Sequence, residues 1–105
     1  MSAQEANFVG AEAAKNMRAG INIEGTCTKL GEIRTVNKKT GGTIDLRECL
    51  LVDREGDEIS LTLWGDDAIK ITDGSRVQIL NGYTNTFKGQ VSLTKGKFGK
   101  LEVIG

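Results

Sequence analysis

From Ile21 onward the chain is written in alternation. Ile21 and Ile23 lead a stretch that reaches about Val36, a second runs from Thr43 to Val52, and in a third Ile59, Leu61 and Leu63 alternate with Ser60, Thr62 and Trp64. A period of two sends successive side chains to opposite faces, so each stretch reads as a half-buried strand. Clusters of turn-forming residues separate them: NKKTGG (Asn37 to Gly42), DREGD (Asp53 to Asp57) and TDGS (Thr72 to Ser75). This punctuation leaves an all-β architecture.

Two local features refine it. Asp66 is placed to cap a short helical segment through Ile71. Beyond Val77 and Ile79 the chain offers two turns: Asn81-Gly82 is a strong hairpin signal, and Lys88-Gly89, between Phe87 and Gln90, is another. Both fit if Gly82 is instead a bulge in one bent strand. With the turn at Lys88-Gly89, Phe87 pairs with Gln90, Asn85 with Ser92 and Tyr83 with Thr94, and Thr84, Thr86, Val91 and Leu93 face inward. With the turn at Asn81-Gly82, Tyr83 and Phe87 again lie opposite the face of Val77 and Ile79. A basic glycine-containing loop, KGKFGK (Lys95 to Lys100), precedes a last strand carrying Leu101 and Val103.

Five strands, the first long and bent, with a short helical connection after the third, is the element order of a five-stranded Greek-key barrel, the OB-fold. Small β-sandwiches and SH3-like barrels are the alternatives, and the place of the helix favours the OB order. The barrel spans residues 21–105. Residues 1–20 form an N-terminal helix or a flexible arm, with Val9, Ala13 and Met17 spaced four apart.

At 105 residues the chain is one domain with a modest core. No apolar run approaches a membrane span and no signal peptide is evident, so an intracellular protein is expected. Two cysteines and no histidine argue against a zinc site and remove the usual general base, so neither a cofactor nor a metal nor an enzyme is expected. With a hairpin turning at Gly41-Gly42, residue numbers across the pair sum to about 83. Cys27 then does not face Cys49, and both read as small reduced residues. The acids before Ile59 and after Trp64 read as turn and cap chemistry rather than a metal site.

Net charge is zero, which argues against a generic polyanion binder. Its distribution is uneven. Residues 53–73 hold seven acids against Arg54 and Lys70, whereas residues 76–105 hold five bases against Glu102. Such segregation permits a basic groove on a neutral protein, and equally two solvated loops.

The five aromatic residues carry the functional signal. Trp64, Tyr83 and Phe87 fall on the polar side of their strands, among hydroxyl and amide groups, while aliphatic residues fill the buried side. Outward rings spaced along a sheet suit unpaired bases, because every base offers a face to stack on. The same pattern also describes a covered cross-strand pair or the centre of a protein interface. Nearby cations would meet phosphates, with Arg34, Lys38, Lys39, Lys88, Lys95, Lys97 and Lys100 as candidates. KGKFGK is not a phosphate-binding loop of the GxxxxGK[ST] kind.

The stretches LTLWG (Leu61 to Gly65), DGSRVQILNGYTNTFKGQVSL (Asp73 to Leu93) and GKFGKLEV (Gly96 to Val103) resemble the simple single-stranded DNA-binding proteins of archaea, their human-type relatives and the OB domains of archaeal replication protein A. The resemblance runs from about Ile21 to the end. Its most specific part is a tryptophan closing the third strand, followed by Gly-aromatic-x-x-x-Phe-Lys-Gly, here Gly82 to Gly89. It implies base stacking by Trp64, Tyr83 and Phe87, with Phe98 as a substitute for an aromatic that some relatives carry where this chain has Thr94. It implies backbone or polar contacts by Arg34, Lys38, Lys39, Thr62, Asn85, Lys88, Lys95 and Lys97.

DREGDE is one residue longer than usual in the family, and the flexible tail of many single-domain members is missing. A fragment, or partner recruitment elsewhere, is the corresponding expectation. The function implied is non-catalytic, largely sequence-independent protection of single-stranded DNA in replication, recombination or repair, in cytoplasm or nucleoid for an archaeal chain. Single-stranded RNA is the alternative ligand, and other OB subunits or repair and replication proteins the alternative partners.

Overall fold

The computed structural model describes residues 8–96 and 98–105, and of Phe87 the backbone. Strand β1 (Ile21–Thr28) pairs with β3 (Thr43–Val52), β3 with β4 (Glu58–Trp64), and β4 with β6 (Gln90–Thr94). β6 then pairs with β5 (Arg76–Phe87), whose first half returns to β1. These five strands close a ring in which only β4 and β6 run parallel. β2 (Arg34–Asn37) extends the sheet beside β3, and β7 (Lys100–Val103) beside β5. The inward set is the one alternation selects: Ile21, Ile23, Ile59, Leu61, Leu63 and Leu93 are essentially without exposure.

The long first strand expected from the sequence is two strands. Lys29 takes a positive φ of 53°, and the connection to β2 is tied to β3. Arg47 donates from Nε to the Gly31 carbonyl at 2.7 Å, and Gly31 donates its own N–H to the Glu48 carbonyl at 2.8 Å. β5 settles the choice of turn. It is one strand of 12 residues, bent where Asn81 has φ 58° and where pairing with β1 shifts from Ile23↔Ile79 to Ile21↔Gly82. The reversal is at Lys88-Gly89, whose φ values of 53° and 81° have the double positive sign that a two-residue hairpin turn needs.

Helix α2 (Asp66–Lys70) follows β4 as expected, but Asp66 is its first residue, not its cap. Gly65 holds the cap position at φ 64°, ψ −129°, a backbone shape open to glycine and strained for other residues. Helix α1 (Ala11–Ala14) buries Ala11 and Ala14, whereas Ala13, expected on the apolar face, is exposed. Four residues make barely one turn, so two methyl groups three apart suffice to lay it against the barrel.

The chain on either side of α1 is tied down. Val9 N–H bonds the Asn22 carbonyl, Thr84 N–H the Arg18 carbonyl, and Thr84 Oγ1 donates to the Met17 carbonyl at 2.6 Å. As expected, Cys27 does not face Cys49, but the register sums to 78 rather than about 83, so that Cys27 stands opposite Leu51 and its thiol hydrogen bonds that of Cys49 on the diagonal. Both are buried and reduced, and that bond together with burial pushes the Cys49 thiol far up.

Candidate nucleic-acid interface

The polar face of β4, β6 and β5 is built in rows. Thr62 stands beside Thr94, which stands beside Tyr83. One step along, Ser60, Ser92 and Asn85 form a second row, and Phe87 and Gln90 pair beyond them. Direct cross-strand partners share a face, so these positions lie on one surface. Side chains bind the rows together: Thr62 Oγ1 and Ser92 Oγ share a hydrogen bond at 3.3 Å, and Gln90 Nε2 donates to Ser60 Oγ at 2.9 Å.

Trp64 ends β4 on this side. In its row, Leu46 of β3 is its partner and Arg34 of β2 is Leu46's, which puts Arg34 two strands from the indole, about 9.5 Å by strand spacing. Trp64 and Tyr83 keep 41% and 38% of their surface exposed, against 1% or less for Ile59, Leu61, Leu63, Val77 and Ile79 of the same two strands. Tyr83 and Phe87 are separated by about 13 Å along β5.

Between Trp64 and Tyr83 opens a cavity of about 270 Å³. Asp67, Thr94, Lys95 and Gly96 contribute to its walls. Gly96 seats the tyrosine: a Cβ there would come within 2.6 Å of Tyr83 Cε1, and its φ is +79°. Thr94 is 3% exposed and its Oγ1 has no hydrogen-bond partner among the described residues. Asp67, in the second position of α2, is 5% exposed. Its Oδ2 lies 3.0 Å from Lys95 Nζ and its Oδ1 3.4 Å from Lys70 Nζ.

The expected contact residues fall into groups. Trp64, Tyr83, Thr62 and Asn85 share the face, with the Phe87 position in register beside them. Arg34 joins through the Trp64 row, where an exposed pair with Glu48 at 3.8 Å holds its guanidinium. Lys38 and Lys39 are exposed at the β2–β3 turn, where Lys38 N–H bonds the Gly42 carbonyl. Lys88 is exposed in the β5–β6 turn, and Phe98 is 83% exposed in the β6–β7 loop. Lys97 lies outside the described residues.

Lys95 does not stand as a solitary cation; Asp67 neutralises it at the cavity wall. Asp67, Thr94 and Gly96 were not foreseen from sequence. The spacing Asp67 to Lys70 is a familiar helical ion pair, but nothing in the chain order ties Asp67 to Lys95. No group of His, Cys, Asp or Glu among the described residues could hold a metal ion. Nor is any described helix long and apolar enough to cross a membrane.

Comparison with known proteins agrees with this architecture. The family model described as "Replication protein A OB domain" matches residues 12–97. The chain is 35% identical over 81 residues to the single-stranded DNA binding protein Ssb of Saccharolobus solfataricus, covering 77% of this chain and 53% of that one. It is 37% identical over 82 residues to the replication protein A 70 kDa DNA-binding subunit of Drosophila melanogaster, covering 75% of this chain and 14% of the subunit. The chain therefore spans about half of one curated relative and a seventh of the other. In structure it matches the OB domain of a Thermoplasma acidophilum protein with a TM-score of 0.68 at 18% identity, over 91% of this chain and 80% of that domain.

Proposed function

The chain belongs to the replication protein A OB-domain family, and on that premise we propose that it binds single-stranded DNA without catalysing a reaction on it. The observation that carries this is the pair of half-exposed rings, Trp64 and Tyr83, flanking a cavity on one polar strand face. Bases stack on Trp64, Tyr83 and Phe87, while Arg34, Lys38, Lys39 and Lys88 meet the phosphates. Thr62 and Asn85 supply hydrogen bonds from the strand face, Phe98 comes from the β6–β7 loop, and Lys97 precedes it in the chain. Stacking is tolerant of sequence, so the role is protection of exposed strands inside the cell during replication, recombination or repair.

The relatives' names support this reading, one for single-stranded DNA and one for a DNA-binding subunit. The second name also supports service beside other subunits. Fluorescence anisotropy of labelled oligo-dT, with unlabelled duplex and oligo-U as competitors, tests the ligand. Competition by duplex as strong as by oligo-dT would sink the single-strand reading, and stronger competition by oligo-U would move the ligand to RNA.

One observation favours a second reading, a protein-interaction subunit: Arg34 and Lys95 are both paired with carboxylates at the face meant for phosphates. A partner protein that competes with oligonucleotide for the Trp64 face would establish it.

A further inference from the structure

The cavity between Trp64 and Tyr83 holds more than stacking requires. A stacking platform needs an aromatic face and little else. Here a carboxylate only 5% exposed lies at the wall, with one ammonium at each oxygen, and beside them lies a threonine hydroxyl without a partner among the described residues. A carboxylate taken out of water is costly unless its lone pairs are used. Two lysines 50% and 38% exposed answer that cost only in part, because their ammonium groups are shared with solvent.

The ion pairs run in a definite order: Lys95 ammonium, Asp67 Oδ2, Asp67 Oδ1, Lys70 ammonium, and of these residues Asp67 and Lys95 line the cavity. To a ligand in the cavity that order reads donor, acceptor, acceptor, with a base N–H taking the place of Lys70 at Oδ1. Its complement is a base edge reading acceptor, donor, donor. Guanine alone among the DNA bases has one, in O6, N1–H and N2–H. Thymine matches twice and then sets O2 against Oδ1. Adenine and cytosine match at most twice, with the ring nitrogen on Lys95 and the amino group on Oδ2, and bring no ring N–H to the carboxylate.

We propose that this cavity is a guanine subsite, in which Asp67 accepts from N1–H and N2–H, Lys95 donates to O6, and Trp64 and Tyr83 hold the ring. The inference rests on the single-strand reading above and adds one base-reading position to an otherwise tolerant face. Asp67 and Lys95 are its specificity-determining residues. Thymine is disfavoured because its O2 faces the buried carboxylate, which costs more than a missing contact, and adenine and cytosine because they make fewer contacts than guanine.

Binding to short alternating oligonucleotides tests it, because alternation offers each base to the cavity whatever the register. Three that are not self-complementary are compared at one salt concentration: dT-dG, dT-dI and dT-dC, where inosine keeps O6 and N1–H and lacks the 2-amino group. The expected order is dT-dG tightest, by about tenfold over dT-dC, with dT-dI between. Asp67→Asn, whose amide cannot accept twice, brings the three together, and Lys95→Met narrows the gap by removing the contact to O6.

Equal affinities in the wild-type protein overturn the guanine subsite while leaving stacking intact. Failure to bind any of the three overturns the single-strand reading itself. A guanine preference that survives in folded Asp67→Asn also overturns the proposal, since the preference would then arise elsewhere. The wild-type series decides the matter even where a variant does not fold.

Discussion

Asp53 and Asp67 come from the same acid-rich segment and are nearly equally buried, at 8% and 5% exposure, yet their surroundings differ in kind. Asp53 is surrounded by backbone. Its Oδ2 accepts from Ala11 N–H at 2.7 Å and its Oδ1 from Glu55 and Asp57 N–H, each at 2.9 Å. Those donors cannot move without unfolding a turn or undocking α1. Asp67 is held by the tips of two flexible lysines at the edge of a cavity. A carboxylate with rigid donors holds the fold together; one whose partners can be exchanged is free to meet a ligand. The Thr94 hydroxyl, without a partner among the described residues, lies at the second kind of place.

The largest effect expected from this contrast is on stability. Asp53→Ala strands three backbone donors, and urea unfolding should show a loss of about 2–4 kcal/mol, with oligonucleotide affinity of the folded fraction unchanged. Asp67→Asn, measured alongside, should change stability far less. A reversal of that order would break the comparison.

Next come the rings. Trp64→Ala and Phe87→Ala should each weaken oligo-dT binding by about 1–3 kcal/mol without unfolding the barrel, read by anisotropy on protein whose circular dichroism is unchanged. Gly96→Ala should act on the same face indirectly. The added methyl strikes the Tyr83 ring and the backbone is strained at φ +79°, so binding should weaken by about 1 kcal/mol.

Acid sharpens the contrast further. Burial pushes the Asp53 carboxyl up, but donation from Ala11, Asp57 and Glu55 N–H outweighs it and holds the carboxyl below its ordinary value. A depressed folded value means that the stabilisation is complete above the unfolded value, roughly 3.9, and is lost as pH falls toward the folded one. Stability of the wild-type protein should therefore drop below about pH 4, and Asp53→Asn should flatten that part of the profile. The smallest effect is expected at the β2–β3 turn. Lys38→Ala and Lys39→Ala should each reduce the slope of log affinity against log salt by about 0.7, with little change in base preference.

How far the sequence reaches follows from range. Period-two alternation marks Ile59, Leu61 and Leu63 as inward and Trp64 as outward because facing is decided within a strand. The Lys88-Gly89 turn sets the register of Tyr83, Asn85 and Phe87 because a two-residue loop permits one pairing. Family resemblance and strand pattern select the same three rings independently. The break after Lys29 was not legible, since it is held by Arg47, which donates to Gly31 from 16 residues further along the chain. The buried face of α1 escaped because its two alanines answer to the barrel surface rather than to a long helical period. The Asp67–Lys95 pair joins an α2 residue to a loop beyond β6, a contact that only barrel closure creates.

The central claim, stacking of single-stranded bases on the Trp64 face, is tested most directly by the fluorescence of Trp64 itself, the only tryptophan in the chain. Titration with oligo-dT at low and moderate salt should quench it strongly, with a modest salt slope and a weak response to duplex DNA. No quenching at micromolar protein, or equal quenching by duplex, would contradict the account and leave the aromatic face to a partner protein.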